Sequence, residues 1–85
     1  MSKALFAEAH AIVVVELTTL RKRMGVSQVE LARRLGKPQQ FVSRIELGDR
    51  RVDIVEFYAI VRALNGNPTE IFEAVTRQLS QRIEI

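Results

Sequence analysis

The amino-acid sequence predicts a single all-α domain of five helices over residues 1–85. Two observations predict it. Apolar residues recur at helical spacing along nearly the whole chain, and no segment alternates convincingly as a strand. The breaks between these segments carry helix-stop and helix-start chemistry, and no internal repeat or low-complexity linker divides the chain. With 47% hydrophobic residues, 85 residues suffice for a modest core without disulfide staples.

Leu5, Ala9, Ile12, Val13, Leu17, Leu20 and Met24 repeat at helical spacing and predict a long first helix over residues 4–23, ended by Gly25. The β-prone "VVV" keeps the helical period through its flanks, so packing is expected to override propensity. Ser27 and Glu30 form a capping-box pattern opening the second helix, with Leu31, Ala32 and Leu35 inward. Gly36 suits a left-handed helix end, and Pro38 presets the backbone where a missing N–H does no harm. Val42 and Ile45 then face inward on a third helix. "GDRR" reads as a loop. Asp53 and Glu56 open a fourth helix with Ile54, Phe57, Ile60, Val61 and Leu64 on its apolar side. "NGN" ends it, and Asn67, Pro68 and Glu70 start a fifth, about 68–83, carrying Ile71, Phe72, Val75 and Leu79.

Charge is unevenly placed. Residues 21–51 hold nine cations against three carboxylates, within a chain whose net charge is only +3. A basic middle between acidic flanks is the footprint of a surface that meets polyanions. There is no Cys, which excludes disulfides, thiolate metal sites and a Cys nucleophile and suits a reducing compartment. The longest uninterrupted apolar run near the N-terminus is "AIVVV", far short of the roughly 20 residues of a membrane span. The expectation is a soluble, cytoplasmic chain with no membrane role.

Two short helices joined by a tight glycine-containing turn make a helix-turn-helix, here over residues 28–47. "SQVELARRLGKPQQFVSRIELGDRRV" resembles that motif in the Cro/C1 (XRE) class of bacterial and phage transcriptional regulators. Gln28, Ala32, Gly36, Val42 and Ile45 fall at the spacing of its first polar residue, tight-contact alanine, turn glycine and two core apolars. The resemblance runs from about Leu17 to Phe72. It implies a lambda-repressor-like DNA-binding domain.

An α-helix fits the DNA major groove, where each base pair shows a distinct pattern of donors and acceptors. On residues 38–47, Gln39, Gln40, Ser43 and Arg44 share the face opposite Val42 and Ile45, and Gln and Arg suit adenine and guanine edges. The family resemblance points to the same four as base contacts. Gln28 at a helix start, with Lys37, Arg50 and Arg51 in the flanking loops, are the expected phosphate contacts. For Arg33 and Arg34, at least one is expected to face away. Arg21 and Glu46 match a family pair in which a late first-helix arginine bridges the end of the recognition helix; this is a structural role. Phe41, beside the reading face, is expected to pack over the turn rather than touch a thymine methyl.

His10 stands alone on an apolar helix. No glycine-rich phosphate loop or supported acid–base pair accompanies it, so no catalytic site, metal or cofactor is expected. In the tail, Val75, Leu79 and Ile83 are four apart. Such a stripe either returns to the core or pairs across a two-fold axis, and a homodimer seam is the preferred expectation. The overall expectation is a sequence-specific regulator, a repressor, on a pseudo-palindromic double-stranded operator. The alternatives are an antitoxin bound to a partner toxin and a restriction–modification controller.

Overall fold

The computed structural model describes residues 2–79, with side chains from residue 8 onward. Its helices are α1 (Ser2–Arg23), α2 (Gln28–Leu35), α3 (Gln39–Glu46), α4 (Ile54–Ala63) and α5 (Pro68–Gln78). No strand occurs among the described residues. At 1.5 Å per residue the 22 residues of α1 span about 33 Å, which sets the 36 Å long axis of the molecule.

Local chemistry fixes the helix ends. After α2, Gly36 adopts φ 68° and ψ 32°. Its N–H meets the Arg33 carbonyl at 3.1 Å and the Lys37 N–H meets that of Ala32 at 2.9 Å, so the last turn is closed and the chain reverses within three residues. At the end of α4 the left-handed residue is Asn65 (φ 61°), not Gly66. Gly66 is small for a different reason: a β-carbon there would lie 2.9 Å from Leu20 Cδ2 and 3.0 Å from Val61 Cγ1.

The helix starts differ from expectation in one respect. Asp53 and Glu56 complete a capping box, with bonds of 2.7 and 3.0 Å. Ser27 accepts the Glu30 N–H at 3.0 Å, but the Glu30 carboxylate does not reach back. Two arginines one turn along, Arg33 and Arg34, take it instead.

The core draws on every helix. Leu17 and Leu20 of α1 meet Leu31 and Ala32 of α2, Val42 and Ile45 of α3, and the Phe57–Leu64 face of α4. Ala32, 2% exposed, lets α2 approach α3 closely. Burying a side chain such as Leu64 or Val61 contributes about 1.5–3 kcal/mol. α5 closes the core through Ile71 and Val75.

Three residues assigned inward from periodicity are exposed: Ile54 (66%), Phe72 (48%) and Met24 (42%). Ile54 is the first residue of α4, and the helix reaches the core only with Phe57. Phe72 leans on Phe57 edge to face, with ring centroids 6.1 Å apart, and covers it. Met24 lies beyond the last turn of α1. Conversely Val14 is buried although the stripe assigned to α1 passes it by.

The last helix is shorter than the predicted 68–83. It ends at Gln78, and Leu79 is already extended at ψ 142°. Val75, expected at a dimer seam, is 2% exposed inside its own chain, and Leu79 is half-buried against the same core. The stripe therefore returns to the core as far as it is described. Ile83 lies outside the described residues.

Candidate nucleic-acid interface

The Gly36 turn sets α2 and α3 against each other, and Val42 and Ile45 anchor α3 from beneath. A polar chain then fixes its C-terminal end. Arg21 of α1 donates from Nε to Glu46 Oε2 at 2.6 Å and from Nη2 to Oε1 at 2.9 Å. Its Nη1 caps the Val26 carbonyl at 2.9 Å. Gln28 Nε2 donates to Glu46 Oε1 at 2.8 Å, and Gln28 Oε1 accepts from Gln39 Nε2 at 3.3 Å. One connected network thus runs from α1 through both motif helices to Gln39 on the exposed polar face of α3.

The two charges in this network keep each other ionised. Burial alone would push the Glu46 carboxyl up, but bonds from Arg21 and Gln28, with the Arg21 and Lys22 charges, outweigh it and hold the group below the usual carboxylate range. The bond to Glu46 raises Arg21 against its own burial. With side-chain exposures of 10% and 12%, losing either partner strands a charge in a poorly solvated place.

Gln39, Gln40 and Arg44 are exposed on α3, opposite buried Val42 and Ile45. Ser43 is half-buried and donates its hydroxyl back to the Gln40 carbonyl at 3.2 Å, which leaves the oxygen as an acceptor. Pro38 precedes α3 and provides no side-chain cap for its first N–H groups.

The residues expected at phosphates divide. Lys37 and Arg51 are exposed in the two flanking loops. Gln28 begins α2, but its side-chain amide is engaged by Glu46 and Gln39, leaving the backbone N–H as its contribution at the helix start. Arg50 is strongly engaged within the fold. Its Nη1 and Nη2 donate to the two Glu56 oxygens at 2.9 and 2.8 Å, and its Cζ lies over the Phe41 ring, 4.6 Å from the centroid. Arg33 points outward beside Glu30, whereas Arg34 also caps the Ala63 carbonyl at 2.8 Å and ties α2 to α4.

Several of these contacts were not read from the sequence. Phe41 does pack on the core, but it is also a platform for two cations, with Lys37 Nζ 5.4 Å from its centroid. Glu56, read only as a cap, is the partner of Arg50, whose bond holds its carboxyl below the usual range. His10 is a half-buried helix residue whose Nε2 accepts the Val52 N–H at 3.2 Å. Cations in a loop followed by a carboxylate in the next helix's first turn were the available signal for the Arg50–Glu56 pair. Nothing local signals a contact 42 residues apart such as His10 with Val52.

Comparison with known proteins agrees with this architecture. A helix-turn-helix family model (HTH_3) matches residues 17–71. An XRE-family-like protein from Pseudomonas syringae pv. tomato is 31% identical, with 92% of this chain and 95% of that one covered and a TM-score of 0.84. The clp gene regulator ClgR from C. glutamicum shares the fold at 18% identity and a TM-score of 0.74, covering 87% of this chain and 96% of its own. No curated protein sequence matches the chain. With the family model spanning most of its length and a solved XRE-family relative matching nearly all of it, the chain belongs to the XRE family of helix-turn-helix DNA-binding proteins.

Proposed function

We propose that the protein is a cytoplasmic, sequence-specific repressor of transcription that reads the major groove of double-stranded DNA with α3. Gln39, Gln40, Ser43 and Arg44 are the base-reading residues, and the Gln28 N–H, Lys37 and Arg51 neutralise or hold phosphates. The observation that carries this reading is the polar face of α3, whose amide and guanidinium groups stand in solvent on a helix held from behind by a buried ion pair. Long polar forks are costly to order at a surface unless they meet a patterned partner, and base edges supply that pattern. A plain solvated helix has no need of a network reaching from α1 to Gln39.

Reading a pseudo-palindrome takes two copies, with half-sites about 34–36 Å apart. Val75 is 2% exposed within its own chain and leaves little area for a seam. Exposed Ile54, Val55, Tyr58 and Phe72 offer apolar area on α4 and α5 instead. The same face suits a different protein, which keeps an antitoxin with a partner toxin as the alternative, and an adjacent toxin reading frame would favour it.

The test is binding to the DNA upstream of the protein's own gene against unrelated duplex at two salt concentrations, with wild type and Gln40→Ala. Selective binding that weakens with salt and loses selectivity in the variant supports the reading. Equal binding to both duplexes, or none, points instead to a protein target.

A further inference from the structure

The loop between α3 and α4 carries two neighbouring arginines, Arg50 and Arg51. Arg51 is solvent-exposed, and the residues on both sides of it are tied into the fold. On one side Arg50 donates from Nη1 to the Arg51 carbonyl at 2.8 Å as well as to Glu56, and its own N–H reaches the Arg44 carbonyl at 3.3 Å. On the other side the Val52 N–H is held by His10 Nε2. Arg50 thereby joins four things: the recognition helix through Phe41, the end of that helix through Arg44, the Arg51 peptide, and the first turn of α4 through Glu56. Glu56 is itself fixed by the Asp53 N–H in the capping box.

We infer that Arg50 is a positioning residue for DNA binding and not a phosphate ligand: it locks the loop to α3 and α4 so that Arg51 is presented from a fixed backbone. This rests on the DNA-binding reading above. Two physical points carry it. A forked, charge-assisted pair whose guanidinium also lies over an aromatic ring combines two contacts that a lysine cannot reproduce. The Arg50–Glu56 pair is also neutral as a unit, so displacing Glu56 with a phosphate would leave a carboxylate beside the DNA and release no net counterion.

The salt dependence of binding separates the two roles. The probe is a duplex enriched from a random pool by the wild-type protein; if nothing is enriched, the DNA-binding reading itself fails, before Arg50 is in question. Against that duplex, Arg51→Gln lowers the slope of log K against log salt by about 1. The charge-neutral double variant Arg50→Gln with Glu56→Gln weakens binding about tenfold but keeps the wild-type slope. Arg50→Lys conserves charge and does not restore affinity. Phe41→Leu removes the stacking platform without touching a charge, and it weakens binding several-fold at unchanged slope, with helix content followed by circular dichroism. A drop of about 1 in the slope of the double variant, wild-type affinity in Arg50→Lys, or unchanged affinity in Phe41→Leu overturns the inference.

Discussion

The two arginine–glutamate clamps that hold α3 use the same chemistry in different surroundings. Arg21–Glu46, at the back of the motif, has side chains only 10% and 12% exposed and is extended by Gln28. Arg50–Glu56, at the rim, is 36% and 25% exposed and leans on Phe41. Depth decides what each is worth. A buried bidentate pair contributes little net stability when both partners are present but is costly to break on one side, whereas a half-exposed pair is screened by water and salt. The inner clamp therefore sustains the fold, and the outer one sets local geometry at modest energetic cost.

The largest expected effect is on the inner clamp. Arg21→Met should destabilise the protein by about 3 kcal/mol in urea unfolding, because Glu46 is left ionised and poorly solvated. If Arg21→Met and Arg50→Met cost the same, burial is not what distinguishes the two pairs. A buried polar group with no partner tests the same principle from the other side. The Thr18 hydroxyl is the one buried side-chain polar atom without a hydrogen bond among the described residues. Thr18→Val should raise stability by about 1 kcal/mol, read as a higher urea midpoint at constant m. For the outer clamp, Arg50→Met should cost clearly less than Arg21→Met, with the difference from wild type visible mainly at low ionic strength.

The smallest effects lie in pH dependence. Glu46 titrates below its ordinary value of 4.5, so the folded state binds fewer protons than the unfolded state there. The stability this contributes is complete above about 4.5 and is lost as pH falls through the lowered value. That acid sensitivity should shrink in Arg21→Met. Glu30 is held down to about 2 by the Arg33 and Arg34 bonds, but it is exposed and adds little. His10 is lowered from 6.5, first by burial and then by the Arg51 charge. Its contribution is present above 6.5 and fades as pH falls through the lowered value, because a charged imidazole is poorly solvated there and repelled by Arg51. Comparing wild type with His10→Gln between pH 7.5 and pH 5.5 should show a flatter stability profile in the variant.

The contrast between the clamps also marks how much was legible beforehand. Helix order, the Gly36 turn, the inward faces at Val42 and Ile45, and the Arg21–Glu46 pair all follow from spacing or from the family resemblance, because local periodicity and backbone chemistry determine them. The outer clamp was legible only in part: a loop cation ahead of a first-turn carboxylate signals the Arg50–Glu56 pair, but not its contact with Phe41. Arg50 looked like any loop cation, since nothing in "DRRVDIVE" states that the chain folds Arg50 onto Phe41 rather than outward. Periodicity also misplaced Ile54 and Phe72, which sit where a helix begins or where one ring covers another. At Ile54 the helix start decides; at Phe72 and Arg50 the deciding partner lies on another helix.

In the proposed function α3 and the loop after it face the DNA. Chemical-shift mapping of the backbone amides during titration with the enriched duplex tests it most directly. The largest changes are expected at Gln39, Gln40, Ser43, Arg44 and Arg51, with Lys37 close behind and the α4–α5 face of Ile54, Val55, Tyr58 and Phe72 unaffected at the same protein concentration. Changes centred on that apolar face, with α3 silent, would contradict it.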